Sequence, residues 1–467
     1  MIDFIEDLKR FFAMAKQLQV GGQKQILKIF GYLCLVVVCT SATAQQDTDG
    51  TWTLPRLINF ALDNNKQIGA KELATKKREQ SVLVAEGQNL PSVDFVTFLN
   101  AYPVNERLLI ERHGFRPSNP FEDVILNYGL QLTFPLYTGG RLKEEINLAE
   151  AGVKIALART NLSRQELIFN VTSGYYTYLK LQSVLDANEG LLRSVMESRR
   201  IAAQQLAVGR TAKLDLLKLD TRVSSARTQL VVVRNAVDRT LSALSALLGL
   251  PPGTGLNIVG NLQVAVTSTS IDEAQFSARL ERQDLIAIRA EIKAQKHLVE
   301  IARSKFSPQL NSSVFLGGYT GNSGETQSDA KIFINLRMPL YSGNSLQSKE
   351  RETLFRLQEL QLRLEYAERN AMAEVEQALI ELNSTWARLD TGLLSVELAQ
   401  EALRIERQKF QQGRGTGNDL LLAEEVVLRA KTEYAAAQSD SQLALAALRF
   451  ATGQIQQTVG NSQSKNE

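Results

Sequence analysis

Two carboxylates stand in matching turns of this chain. Asp215 closes the stretch Gly-Arg-Thr-Ala-Lys-Leu-Asp that begins at Gly209, and Asp419 closes Gly-Arg-Gly-Thr-Gly-Asn-Asp, which begins at Gly413. An acid in the first turn of a helix is favoured by the partial positive charge there. Gly209 and Gly413 suit the left-handed residue that ends a preceding helix. Thr211, and Thr416 or Asn418, can cap the following one. A second chemistry is open to the same residues. If the turns met around a three-fold axis, Asp419 would form a ring of carboxylates that repels anions and binds cations. The other reactive types are few. The imidazoles are His113 and His297, without metal-ligand spacing, and the thiols are Cys34 and Cys39. Nothing resembles a nucleophile–base pair, a phosphate loop or a metal cluster. The expectation is a protein that is not an enzyme and needs no cofactor.

The matching turns belong to a longer repeat. Phe134–Gly139 reads FPLYTG and Met338–Gly343 reads MPLYSG, with Pro135 and Pro339 at 204 residues' separation. The same offset relates Gly209-Arg210 to Gly413-Arg414, Asp215 to Asp419, and Gly249 to Gly453. Upstream it changes to 217, from Pro91 to Pro308. The first copy thus carries extra length between Pro91 and Pro135. Two copies with one loop of free length imply duplication and a pseudo-symmetric fold.

Each copy reads as helix, strand, loop, strand, very long helix, tight turn and helix. Before Pro135, Val124, Leu126, Tyr128, Leu130, Leu132 and Phe134 alternate with mostly polar residues, the period of a strand with one apolar face. The second copy sets Ile332, Ile334, Leu336 and Met338 against Lys331, Phe333, Asn335 and Arg337. Such a strand, tilted, spans the apolar band of an outer membrane, about 25 Å tall. Four strands cannot close a barrel alone, but three protomers would supply twelve. Pro135 and Pro339 are expected to stop their strands, because proline cannot donate to a sheet ladder. Gly139, Gly140 and Gly343 then permit the turn from strand into helix.

The helical parts carry no proline from Gly139 to Val208, or from Gly343 to Gln412. Helices of this length need continuous packing partners. A heptad-like register supplies them: Ala149, Val153, Ala156, Thr160, Ser163 and Leu167 in one, Thr353, Leu357, Leu360, Leu364, Ala367 and Ala371 in the other. The expected partner helices, Leu54–Asn89 and Ala212–Leu248, are half as long. Stacked end to end, two of them match one long helix.

Composition closes off other classes. Of 467 residues 44% are hydrophobic, and 53 Lys and Arg oppose 50 Asp and Glu, so no basic excess points to nucleic acid. Basic residues before the apolar run 29–38, and Ala42-Thr43-Ala44 after it, read as a secretory leader cleaved after Ala44. The organisation expected is leader 1–44; first copy 45–250, with a hairpin at 92–134; link 251–271; second copy 272–453, with a hairpin at 309–338; and polar tail 454–467.

These features resemble the TolC outer-membrane efflux protein family. The resemblance is carried by WTLPRLINFALDNN (Trp52–Asn65), the doubled P-L-Y-x-G, the doubled Gly-Arg turns and ARSKFSPQL before the second hairpin. It implies a mainly α protein with a transmembrane β-barrel part. Three protomers would form a twelve-stranded outer-membrane barrel above a twelve-helix periplasmic tunnel. It also implies a passive exit duct that docks on a periplasmic adaptor and, through it, on an inner-membrane transporter. By the same resemblance Gly209, Arg210, Gly413 and Arg414 would meet the adaptor, and Asp215 and Asp419 would close the tunnel. Leu422 and Gly415 stand where some members have an acid and an arginine, so the latch should differ here. A coiled-coil scaffold without a pore, or a duct specialised for metal ions, are the alternatives.

Overall fold

The computed structural model describes residues 51–101, 124–251, 253–262, 270–321, 324 and 326–456. The leader, the polar loop of the first hairpin and most of the tail lie outside them. Alternating apolar residues build four long strands: β2 (Ser92–Ala101), β3 (Val124–Tyr137), β5 (Gln309–Gly321) and β6 (Thr326–Arg337). They form one antiparallel sheet in the order β2-β3-β5-β6. Two-residue strands β1 (Thr51–Trp52) and β4 (Asn257–Ile258) make a separate small sheet.

Register places the apolar residues on one face. Val93 pairs with Leu132, Phe95 with Leu130 and Leu99 with Leu126. Across the other junctions Leu130 pairs with Leu316, and Val314 with Ile332. A side-chain period of two puts all of these on the same side. That side is uncovered: Phe95, Ile332 and Ile334 are 70%, 74% and 68% exposed. On the other side the ring of Phe315 lies over Gly129 and Gly317, where a Cβ would sit 2.9 Å from it. Twenty-two residues separate β2 from β3 and four separate β5 from β6, so the extra length of the first copy falls between strands.

The long helices are α3 (Arg141–Ala207) and α7 (Ser345–Gln411), each of 67 residues and about 100 Å long. All six expected register positions of α7 are buried or half-buried. The shorter partners α4 (Lys213–Leu247) and α8 (Gly417–Ala451) have 35 residues each. Leu54–Asn89 is not one helix. It divides into α1 (Leu54–Asn64) and α2 (Lys66–Gly87), and the second copy divides likewise into α5 (Ile271–Glu281) and α6 (Gln283–Ser304).

The reason lies in the stacking. Asn65, between α1 and α2, has an extended backbone, and its Nδ2 donates to the Leu247 carbonyl at the end of α4. Arg282, its counterpart at the 217 offset, donates from Nη1 to the Ala451 carbonyl at the end of α8. Each break residue thus satisfies a carbonyl that the neighbouring helix end leaves open. Gly249 and Gly453 follow those ends with φ of 72° and 81°. Their absent Cβ atoms make room for Asn64 and Glu281, at 3.1 and 2.7 Å. The end-to-end stacking of short helices is therefore present in both copies.

A core at the level of this junction joins Leu57, Ile58, Leu167, Ile168, Val171, Tyr175, Leu244 and Leu248. Fully burying an aliphatic side chain of this kind contributes about 1.5–3 kcal/mol. The link after α4 is part of that core rather than a tether. Leu256, Ile258 and Leu262 are buried, and Tyr175 Oη donates to the Val259 carbonyl. Burial pushes the Tyr175 phenol up to about 12.

Pro135 does not end its strand. β3 runs on to Tyr137, with a register shift between Pro135 and Tyr137, so the missing donor is absorbed at an irregularity. Pro339 does lie beyond its strand, which stops at Arg337. Gly139, Gly140 and Gly343 all have left-handed backbones, and Asn344 takes the place of Gly140 in the second copy with φ 64°.

Candidate functional site

The turns between α3 and α4, and between α7 and α8, are built alike. The Arg210 N–H donates to the Gln205 carbonyl and Gly209 N–H to Leu206, while Arg414 and Gly413 donate to Lys409 and Phe410. These are paired Schellman closures, which require the left-handed glycine. Gly209 has φ 71° and Gly413 φ 72°.

The two helix starts differ. Thr416 caps α8: its Oγ1 accepts from the Asp419 N–H at 3.2 Å and donates to Asp419 Oδ2 at 2.7 Å. In the first turn the capping position falls on Ala212, which has no side chain to offer, and not on Thr211. Thr211 Oγ1 instead donates to Asp215 Oδ2 at 3.2 Å. Both acids thus lie in the first turn of their helices, but the expected side-chain cap is present only at Thr416 and not at Thr211.

The structure also brings the two turns together. A Cβ on Gly417 would lie 3.4 Å from that of Asp215, and Gln205 Nε2 donates to the Phe410 carbonyl at 3.0 Å. Behind them Leu191, Val195, Ala202, Leu219, Val223, Phe410 and Leu420 form a common core. Asp419 lies on an exposed part of α8.

A polar cluster that the sequence reading missed lies behind the turns. Glu424 of α8 is 1% exposed. Its Oε1 accepts from Ser194 Oγ at 2.6 Å and Ser198 Oγ at 3.1 Å, both on α3. Arg407 of α7 donates to Ser194 Oγ at 2.5 Å. The cluster therefore ties α3 to α7 and α8. Glu424 Oε2 is buried and has no hydrogen-bond partner among the described residues. Burial pushes the carboxyl above the usual range, against the hydrogen bonds of Ser194 and Ser198 and the charges of Arg407 and Arg222. A signal existed: Leu420, Glu424, Val427 and Leu428 follow the apolar spacing of a helix, with one acid among the apolar residues.

No group of three or more His, Cys, Asp or Glu is arranged to hold a metal ion among the described residues. His297 pairs with Glu144 at 2.6 Å, joining α6 to α3. Burial opposes the charge on Glu144, yet hydrogen bonds from His297 and Asn147 hold it below the usual carboxylate range.

Comparison with known proteins agrees with this architecture. Residues 57–250 and 276–454 match the family model described as outer membrane efflux protein. The alkaline protease secretion protein AprF of Pseudomonas aeruginosa is 25% identical over 352 residues, which are 73% of this chain and 72% of the relative. The outer membrane protein TolC of Vibrio cholerae is 22% identical, over 92% of this chain and 96% of the relative. Among solved structures, the Campylobacter jejuni CmeC outer membrane channel superposes with a TM-score of 0.75 at 17% identity, covering 89% of each chain. The outer membrane protein VceC of Vibrio cholerae gives 0.73 at 19% identity, over 86% of this chain and 96% of the other. The matched stretches hold both copies of the repeat, and the chain belongs to the outer membrane efflux protein family.

Proposed function

We propose that this chain is the outer-membrane exit duct of a tripartite efflux or type I secretion system. Substrates would pass through it without chemical change, delivered by an inner-membrane transporter and a periplasmic adaptor. The observation that carries the proposal is the four-stranded sheet. One of its faces is apolar and uncovered, and among the described residues its outer strands β2 and β6 each pair on one side only. Such a sheet is satisfied when its apolar face meets lipid and its edges meet those of other copies. Three protomers would close a barrel of twelve strands, and their helices would continue it into the periplasm. In that assembly Gly209, Arg210, Gly413 and Arg414 form the far end, where an adaptor docks. Asp215 and Asp419 surround the entrance.

The cargo is set by the transporter. Relatives named for alkaline protease secretion and for pyoverdine export share this fold family, so the duct suits more than one class.

The test is purification from membranes followed by sizing and planar-bilayer recording. A detergent-extracted trimer that conducts ions is expected. A water-soluble monomer, or a trimer that passes no current, would overturn the proposal and favour a scaffold. Docking is checked by single cysteines at Arg210 and Arg414, crosslinked to the adaptor in cells. Crosslinks confined to other parts of the chain would move the docking surface.

A further inference from the structure

Four helices, α2, α3, α6 and α7, lie side by side below the sheet, α2 against α3, α3 against α6 and α6 against α7. The two faces of this layer are unlike. One carries a groove of about 830 Å³ lined from all four helices. The other carries a groove of about 540 Å³ lined from α3 and α6 alone. A single hollow touched by both outermost helices means that they curl toward the first face. That face is the concave one.

The concave face is basic. Lys71 and Arg78 reach it from α2, Arg159 from α3, and Arg356 and Arg363 from α7. The acids lining it are Glu145 and Glu291, and both are engaged: Glu145 pairs with Arg141 at 2.8 Å and Glu291 with Arg159 at 2.5 Å. Arg356 pairs with Glu359. Lys71, Arg78 and Arg363 have no carboxylate within ion-pair distance among the described residues. The opposite groove does not compensate them, since it brings Lys154, Lys293 and Lys296 to its own surface. The groove floor sets Thr160 and Gln295 among apolar residues such as Ala149, Ala156 and Leu360.

We propose that this concave face is an anion-selecting section of the conduit, one that concentrates polyanionic solutes and favours anions in the ionic current. The inference rests on the duct reading, which makes the concave side the lumen. Three uncompensated cations from each of three copies would then face one another across a water-filled passage. A cleft lined by one sign of charge, with low-dielectric walls, focuses its field and raises the local concentration of counter-ions. The Debye length is about 8 Å at physiological salt, so side chains projecting into a confined lumen act on solutes that pass them.

The experiment uses the purified full-length trimer in planar bilayers under a KCl gradient. With the entrance carboxylates removed, in D215N/D419N, the reversal potential should have the sign of anion preference. Inositol hexakisphosphate, added on the side opposite the helical turns, should block the current. In K71E/R78E/R363E the reversal potential should move toward cation preference, and block should weaken by about tenfold or more. K71Q/R78Q/R363Q, which carries no added acid, should fall between the two and guards against misfolding of the first variant. Cation preference in D215N/D419N, with no block of the wild type, would overturn this inference while leaving the duct intact. So would selectivity that neither variant changes. A wild-type trimer that passes no current would remove the duct reading itself.

Discussion

The cluster at Glu424 yields the sharpest prediction, because its geometry separates two kinds of hydrogen bond. Ser194 gives its single proton to the carboxylate at 2.6 Å and accepts from Arg407. Ser198 shares its proton between Glu424 Oε1 and the Ser194 carbonyl at 3.0 Å. Hydrogen bonds to charged groups contribute about 1.5–3 kcal/mol, and neutral ones about 0.5–1.5. With Glu424 ionised, Ser194→Ala should therefore cost about 1.5–3 kcal/mol of local stability, and Ser198→Ala less. In a Glu424→Gln background the bond from Ser194 to residue 424 is neutral and contributes only about 0.5–1.5 kcal/mol, while the bond from Arg407 is lost equally in both backgrounds and cancels. The difference of about 1–2 kcal/mol is the coupling, a factor of about 5–30 in the local opening constant. Hydrogen exchange of the amides in 191–202 and 420–428 of the trimer at pH 8 reads that constant. Additive single and double variants, within about 0.5 kcal/mol, would refute the charge-assisted account.

The pH dependence has a definite sign. Burial raises the Glu424 carboxyl in the closed arrangement, so that arrangement holds its proton to higher pH than an open one. Closure at this site is therefore strengthened as pH falls from above the raised value toward the ordinary carboxylate range. Protection that drops on mild acidification would contradict the assignment.

Three other outcomes follow from the same structure. Gly413→Ala meets no neighbour and should cost only the left-handed backbone, about 1–3 kcal/mol, whereas Gly453→Ala adds a Cβ 2.7 Å from Glu281 and should lose clearly more; equal shifts in thermal unfolding would refute the helix-stacking account. Ile332→Arg places a charge on the uncovered apolar face, at a cost of about 2–4 kcal/mol if that face meets the bilayer midplane, and should reduce the heat-stable trimer in membrane fractions; unchanged membrane yield would mean that the face is not lipid-facing. Asp419→Asn should weaken block by multivalent cations applied from the turn side, and an unaltered titration of that block would take Asp419 out of the entrance.

The order and type of elements were legible in the sequence because they follow from local chemistry. Alternation around Leu130 and Ile332 forces a strand with one greasy face. The proline-free stretches of helix formers after Gly140 and Asn344 do form the two long helices. Gly209 and Gly413 mark turns whose left-handed angle no other residue adopts as readily. Duplication supported these readings where the copies agree, since Gly139 and Gly343, and Gly209 and Gly413, take left-handed backbones at matching places.

What the sequence left open is what depends on a partner remote along the chain. Asn65 and Arg282 break helices that local propensity would continue, because the ends of α4 and α8 present carbonyls 182 and 169 residues away. Tyr175 holds a link that composition alone would leave loose. Glu424 became a tie between helices only when α3 supplied two hydroxyls and α7 an arginine. The concave basic groove has no signature in sequence, for its cations come from three helices spread over nearly 300 residues. Periodicity and turn chemistry act over a few residues and can be read in order. Burial, charge compensation and curvature are sums over neighbours that exist only after the chain has folded.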